Sequence, residues 1–183
     1  GCVRDLLLGR PASDWDLCTD AKPNDLLRIF PRAIPTGIEH GTVTVVVKGE
    51  HYEITTLRGE GAYSDGRRPD HVHFTGDLTE DLARRDFTVN AIALSPVTGE
   101  LSDPFGGQDD MKARVLRAVG VAEERFSEDG LRVLRAARFA AQLEFSLHPA
   151  TFSAIQPTLG TYKKVASERV RDEWMKTMKA PKP

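Results

Sequence analysis

Gly1-Cys2-Val3-Arg4-Asp5-Leu6-Leu7-Leu8-Gly9-Arg10, followed after Pro11-Ala12-Ser13 by Asp14-Trp15-Asp16-Leu17-Cys18-Thr19, is the stretch on which the fold turns. Val3 to Leu8 reads as a short helix stopped by Gly9, with Gly1 just ahead of its first turn. Trp15 to Thr19 alternates polar and apolar residues, as a half-buried strand does. Residues two apart on a strand share a face, so Asp14 and Asp16 project side by side while Trp15 and Leu17 point the other way. Two such carboxylates repel unless they are hydrated or share cations, and Mg²⁺ bound by one or two carboxylates plus substrate phosphates accepts this pairing. A solvated acidic strand face has the same spacing, so the pair alone does not decide. The glycine and helix start ahead of it add backbone N–H groups suited to a triphosphate.

Outward from there, Ala21-Lys22-Pro23 opens a second helix with proline near its first position, and Leu26, Leu27 and Phe30 form its buried stripe. Gly41 to Lys48 and Tyr52 to Leu57 are β-branched runs joined by Gly49-Glu50, a hairpin signal. Three neighbouring strands follow, and Glu53 on the third can add a carboxylate to the first pair, completing a site for in-line attack on an α-phosphate. Gly59 to Asp70 reads as a surface loop. Helical pattern resumes from Asp77, a turn is expected at Ser95-Pro96-Val97-Thr98-Gly99, and a short strand at Val115 to Val119. Beyond residue 122 the pattern is helical: one amphipathic helix from Ser127 or Glu128 to Leu143, a second over Thr151 to Leu159, a third over Ser167 to Met178. The expected architecture is an α/β (α+β) module with a mixed sheet over residues 1–122, followed by an all-helical module over 123–183.

With 40% apolar and 28% charged residues in 183, the chain can bury one ordinary core or a core with a small appended module. No run approaches the roughly 18 apolar residues of a membrane span, and no secretory segment opens the chain, so a cytoplasmic protein without membrane partners is expected. Cys2 and Cys18 lack the spacing of a disulfide framework or zinc site and are read as small buried apolar residues. The net charge of −2 gives no nucleic-acid footprint by itself. Residues 1–100 hold 11 Lys/Arg against 16 Asp/Glu, and residues 101–183 hold 14 against 11. This fits a carboxylate-rich metal site in the first half and mild polyanion attraction behind it, as does ordinary surface scatter. The five histidines show no ligand spacing and are expected at the surface.

The opening segment resembles the first motif of the class II tRNA nucleotidyltransferase and bacterial poly(A) polymerase family, within the polymerase-β-like nucleotidyltransferase superfamily. That family's motif carries two glycines after a strand, and this chain begins at what would be the second. Further matches follow in the family's order. Glu53-Ile54-Thr55-Thr56-Leu57-Arg58 resembles the strand with the third carboxylate, and Asp65-Gly66-Arg67-Arg68-Pro69 the flexible loop beyond it. Arg84-Arg85-Asp86-Phe87-Thr88-Val89-Asn90-Ala91 is similar to the ribose-recognition motif, and Asp103-Pro104-Phe105-Gly106-Gly107 to the link into the neck. Glu128-Asp129-Gly130-Leu131-Arg132 resembles the base-recognition motif.

The resemblance implies a nucleotidyltransferase head and a helical neck. It also implies a template-independent enzyme that adds C and A from CTP and ATP to an RNA 3′ end, most directly tRNA, with two Mg²⁺ ions. Asp14, Asp16 and Glu53 would be catalytic, the first two as metal ligands. Gly1 and Arg4 would lie at the triphosphate, Arg85, Asp86 and Asn90 at the ribose, and Asp129 with Arg132 at the base. Cytosine and adenine both present an exocyclic amine beside a ring-nitrogen acceptor, so a carboxylate next to a guanidinium on one helix face matches both. Uracil and guanine invert that order and would leave buried polar groups unpaired. Glu128 and Arg132 are also spaced to form a plain i,i+4 ion pair. Arg135 and Arg138, further along the helix, either reach phosphates or tile the surface, whereas Leu131, Leu134 and Phe139 are core. The loop at Asp65 to Pro69, which C-adding specialists of the family tend to lack, favours CCA or A addition. An A-adding specialist, a poly(A) polymerase, a small-molecule nucleotidyltransferase and a non-catalytic RNA-binding relative are the competing readings. Relatives continue through further helical domains, and the chain looks truncated at both ends.

Overall fold

A computed structural model of the chain describes residues 1–12, 15–61 and 71–181. Asp14 and the family loop at Asp65 to Pro69 lie outside the described residues. The chain divides into two compact units, the first Gly1–Glu60 with His71–Leu82, the second built from Ala83 onward.

The first unit runs α1 (Cys2–Leu7), β1 (Asp16–Thr19), α2 (Pro23–Ile29), β2 (Ala33–Gly37), β3 (Thr42–Val47), β4 (Glu50–Thr56), β5 (Arg58–Glu60), β6 (Val72–Phe74) and most of α3 (Leu78–Ala83). Four strands form a mixed sheet in the order β1-β4-β3-β2, with β1 parallel to β4 and β3 antiparallel to β4 and β2. The period-two side-chain pattern of the sheet sends Val43, Val45 and Ile54 to one face, where Leu26 of α2 covers them and Leu27, Phe30, Ala33 and Tyr52 pack around the edge. Each such aliphatic contributes about 1.5–3 kcal/mol by leaving water. At the sheet's end the Thr56 hydroxyl donates to the Ala21 carbonyl at 2.8 Å, and the Leu57 amide donates to the Thr19 carbonyl at 2.8 Å. These bonds tie β4 to β1 and to the start of α2.

Local differences from the sequence reading have identifiable causes. Strand β2 contains Pro35, which demotes a run in pattern reading but is tolerated here because β2 is a sheet edge. The hairpin turns at Lys48-Gly49, both at positive φ (54° and 89°), one residue earlier than Gly49-Glu50. Gly59 and Glu60, expected in a loop, pair with β6 as part of β5 instead. Cys2 is buried as expected, but Cys18 is exposed, because it shares the open face of β1 with Asp16.

The second unit contains β7 (Ala93–Leu94), β8 (Leu101–Ser102), α4 (Gly107–Ala113), β9 (Val115–Leu116), α5 (Ala122–Glu128), α6 (Leu131–Leu143), β10 (Ser146–Leu147), α7 (Pro149–Ser153), α8 (Ile155–Tyr162) and α9 (Ser167–Thr177). Its core is aromatic: Phe87 and Phe126 are fully buried, and Phe87 meets Phe139 edge to face at 5.8 Å. The change to helices near residue 122 is observed, except that β10 adds a two-residue parallel pairing to β9. The expected single helix from Ser127 or Glu128 to Leu143 is two helices, α5 and α6, broken at Asp129-Gly130. Asp129 adopts an extended backbone, φ −140° and ψ 105°, and its carboxylate accepts the Leu131 amide at 3.1 Å, the local bond by which Asp competes with helix continuation. Among the described residues, no helix is long and apolar enough to cross a membrane.

Candidate active site

The parallel register of β1 and β4 sets Asp16 opposite Glu53, and the antiparallel register of β3 and β4 sets Thr44 opposite Glu53. Asp16, Glu53 and Thr44 therefore form one row across the sheet, on the face away from the Val43, Val45 and Ile54 core. Both carboxylates are exposed, and among the described residues neither takes part in an ion pair. The Thr44 hydroxyl shares a hydrogen bond with Thr36 at 2.9 Å, and Thr42 shares one with Thr55 at 3.1 Å, so a threonine ladder orders this face. Gly1 lies at its border: a Cβ there would stand 3.9 Å from Asp16 Oδ2. The start of α1 and the carboxylate strand thus come together as the spacing implies. Arg4 of α1 donates from Nε and Nη2 to the two oxygens of Asp5, both at 2.9 Å.

Free carboxylates in one row are hard oxygen donors, the ligand type that suits Mg²⁺. Among the described residues no group of three or more acidic, histidine or cysteine side chains is assembled. Asp16 and Glu53 therefore supply two carboxylates, and the third of the expected set, Asp14, is outside the described residues.

In the second unit, Asp86, Asn90 and Arg135 are brought together. Asp86 Oδ1 accepts the Phe87 amide at 2.8 Å and Asn90 Nδ2 at 3.0 Å, while Oδ2 accepts Arg135 Nε at 2.8 Å and Nη2 at 2.5 Å. Burial opposes ionisation of Asp86, but the adjoining Arg135 charge and the Asn90 and Arg135 hydrogen bonds outweigh it and hold the carboxyl below its ordinary value of 3.8. For Arg135, burial likewise works against the charged form, and Asp86 overcomes it and raises the guanidinium pKa. Arg85, just before, is half-buried.

The base-motif residues take separate partners. Arg132 Nη1 donates to the Glu128 carboxylate at 2.5 Å and to the Arg125 carbonyl at 3.0 Å, and Nη2 donates to the Arg84 carbonyl at 2.9 Å. The i,i+4 pair of Glu128 and Arg132 is thus present, and it is part-buried rather than fully solvated. Asp129, being at the break and not within a helix, does not share a helix face with Arg132. Its carboxylate pairs with Arg169 of α9, Nη2 to Oδ2 at 2.8 Å and Nη1 to Oδ1 at 3.2 Å. Arg138 neither tiles the surface nor stands open to a phosphate: it is buried, pairs with Glu173, donates to Gln142 at 2.7 Å and lies 3.9 Å over the Phe139 ring. Burial lowers the Arg138 pKa despite Glu173. Leu131 and Phe139 are core as expected, and Leu134 is half-buried.

Sequence reading missed Arg169 and Glu173, which contact three of the expected nucleotide residues from α9. Their i,i+4 spacing was the one available signal, and it is equally the pattern of a solvated surface pair. The reading also missed why the base motif contains a glycine. A Cβ on Gly130 would stand 2.5 Å from the Thr161 carbonyl carbon and the Tyr162 nitrogen, both backbone atoms of α8. Gly130→Ala, which at an unhindered helix start would gain roughly 0.5–1 kcal/mol, should here lose about 1–3 kcal/mol through overpacking. Urea denaturation checks this, and an equal or higher midpoint would show that α8 retreats freely.

The motif that links to the neck is a helix cap. The Asp103 carboxylate accepts the Gly107 amide at 2.7 Å and the Gln108 amide at 2.8 Å, starting α4. From α4, Asp110 receives the Thr88 hydroxyl at 2.7 Å and the Arg117 guanidinium at 3.0 to 3.1 Å. These bonds hold the segment after Asp86 in place.

A mixed sheet with a row of exposed carboxylates beside a glycine-led helix fits a nucleotidyltransferase head, and the matches to known proteins agree. Residues 1–117 match the poly(A) polymerase head domain, and residues 144–183 match a domain described as a probable RNA and SrmB-binding site of polymerase A. The chain belongs to the class II tRNA nucleotidyltransferase and poly(A) polymerase family. It is 52% identical over 181 residues to the CCA-adding enzyme of Lactobacillus johnsonii, covering 99% of this chain and 45% of that protein. Among solved structures, it resembles the Bacillus stearothermophilus CCA-adding enzyme in complex with CTP, with a TM-score of 0.90 and 46% identity over 99% of this chain and 43% of that one. The Thermotoga maritima CCA-adding enzyme complexed with tRNA gives a TM-score of 0.81 and 28% identity over 100% of this chain and 42% of that one. The chain thus spans somewhat under half the length of the proteins it matches.

Proposed function

We propose that this chain is the catalytic end of a CCA-adding tRNA nucleotidyltransferase, a cytoplasmic enzyme that adds C and A from CTP and ATP to the tRNA 3′ end. The observation that carries the reading is the row of Asp16 and Glu53, exposed on one sheet face beside the start of α1 and in no ion pair among the described residues, in a chain half identical to CCA-adding enzymes. The RNA 3′-hydroxyl oxygen forms a bond to the α-phosphorus while the bond to pyrophosphate breaks, without a covalent enzyme intermediate. Asp14 and Asp16 would hold Mg²⁺, two ions in all with Glu53 assisting, and the metal would supply positive charge against the developing charge on the phosphate. The amide groups around Gly1 and the Arg4 side chain are assigned to the triphosphate, and Arg85, Asp86 and Asn90 to the ribose. Since Asp86 already accepts four donors, its part is to fix Arg135 and Asn90 for the ribose. The residues assigned to the 123–183 neck read the base, with Asp129 accepting the exocyclic amine and Arg132 donating to the ring nitrogen. Arg132 retains its Nε–H and one Nη2–H for this among the described residues.

Incorporation of labelled CTP and ATP into tRNA transcripts ending before the first C, after one C and after both tests the reading. Addition of C, C and A in turn is expected. Addition of A alone to all three would make the chain an A-adding or polyadenylating relative, and no incorporation with intact nucleotide binding would make it a non-catalytic one. Asp129→Ala removes the acceptor for the amine and the repulsion against a carbonyl. Discrimination against UTP and GTP should therefore fall along with the overall rate, read as relative kcat/KM for the four ribonucleotides. Unchanged selectivity would remove Asp129 from the base site.

A further inference from the structure

Helix α9 has an unusual buried face. Glu173 and Thr177 are buried one turn apart, and Arg169, one turn before Glu173, is itself three-quarters buried. Helix faces turned inward are ordinarily apolar, since desolvating an ion pair costs as much as the pair regains and a well-packed apolar contact is at least as stable. The Thr177 hydroxyl donates to the Glu173 carbonyl at 2.9 Å, whereas the two charged side chains are directed at residues assigned to the nucleotide. Arg169 binds Asp129 through two parallel N–H groups, and Glu173 pairs with Arg138 and lies 3.7 Å from Arg135.

The effect on Asp129 follows from counting acceptor sites. An ionised carboxylate offers about four lone-pair directions. Oδ1 accepts the Leu131 amide at 3.1 Å and Arg169 Nη1 at 3.2 Å, and Oδ2 accepts Arg169 Nη2 at 2.8 Å. Three directions are filled, and one on Oδ2 is left. The planar guanidinium also fixes the plane of the carboxylate, which a single donor does not. A carboxylate held by the Leu131 amide alone turns about its Cβ–Cγ bond, and its free lone pairs take water or move away from an opposing carbonyl.

We propose that Arg169 is a specificity-determining positioning residue: by filling and orienting Asp129 it leaves one acceptor in one place, and this lets Asp129 tell an exocyclic amine from a carbonyl. The proposal rests on the reading of Asp129 as the base-contacting carboxylate. Arg169 touches no substrate, so its loss shows in discrimination more than in affinity for the correct nucleotide. Lysine keeps the charge but not the two-pronged geometry, and should restore stability more fully than selectivity.

The test is competition binding of CTP and UTP to the parent chain, Arg169→Gln, Arg169→Lys and the control Arg171→Gln, with Mg²⁺ present and the melting temperature of each protein measured alongside. Arg171 sits on the same helix with its side chain 70% exposed, so its replacement controls for loss of a positive charge. The expected result is a CTP preference in the parent and in Arg171→Gln, reduced about tenfold in Arg169→Gln and partly in Arg169→Lys, on the scale of lost supporting contacts. If Arg169→Gln does not fold, the ratio in Arg169→Lys decides. A preserved ratio, or equal weakening of both nucleotides, would show that Arg169 only holds the helices together, and would overturn the proposal while leaving the base reading intact. A parent chain without CTP preference would overturn both.

Discussion

Asp16→Ala should lower nucleotide incorporation by at least about 10²- to 10³-fold for every nucleotide, since it removes one of the carboxylates proposed to hold the Mg²⁺ that would offset the charge on the reacting phosphate. The expected structural cost is small. Asp16 is exposed at a sheet edge and takes part in no ion pair among the described residues, so its stability change should stay within about 0.5 kcal/mol. Asp14→Ala carries the same expectation for activity. The combination of a lost rate and an unchanged melting curve separates a catalytic carboxylate from a structural one. Single-turnover incorporation of CTP with saturating Mg²⁺ is the measurement, and substantial activity in the Asp16 variant would reject the site. Glu53→Gln, in the same row, should fall in the same direction.

The face each carboxylate takes was legible in the sequence, because Asp16 and Glu53 lie in short alternating runs and a strand fixes which way each side chain points, whereas the register that sets them opposite each other belongs to the assembled sheet. The ordering of motifs carried the family. Less legible was anything that depends on where a helix stops. Asp129 and Arg132 are three apart, and a continuous helix would put them on one face. The backbone breaks at Asp129 because its carboxylate caps Leu131 and because Gly130 admits the backbone of α8. Periodicity contains neither fact. The partners of Asp129 and Arg138 lie 40 and 35 residues further on, so only tertiary packing could reveal that α9 reaches them. Strand β2 was hidden by a different rule, since Pro35 argues against a central strand and edge position is a property of the assembled sheet.

Asp86→Asn should cost about 3 kcal/mol of folding stability at neutral pH, the low end for removing one partner from a buried ion pair. Asp86 is 7% exposed, and its oxygens take both Arg135 bonds, the Asn90 amide and the Phe87 amide. Asparagine keeps the shape but replaces one acceptor with a donor that faces the Arg135 guanidinium, so a charge is left partly buried without its counterion. The pH dependence gives a second and independent signature. Because the folded Asp86 carboxyl sits below its ordinary value of 3.8, its contribution is fully present above that value and is lost as pH falls through the depressed folded value. The parent should therefore lose more stability on acidification than Asp86→Asn does, and the gap between the two should narrow as pH drops below about 4. Urea midpoints at pH 7 and at a series of acidic values measure both effects. The double variant Asp86→Asn, Arg135→Gln should recover part of the loss, since it removes the stranded charge as well. A cost under about 1 kcal/mol at pH 7, with a gap that does not change with pH, would mean that Asp86 and Arg135 behave as a solvent-screened pair. Asp86 would then be free to accept a ribose hydroxyl directly instead of anchoring the arginine beside it.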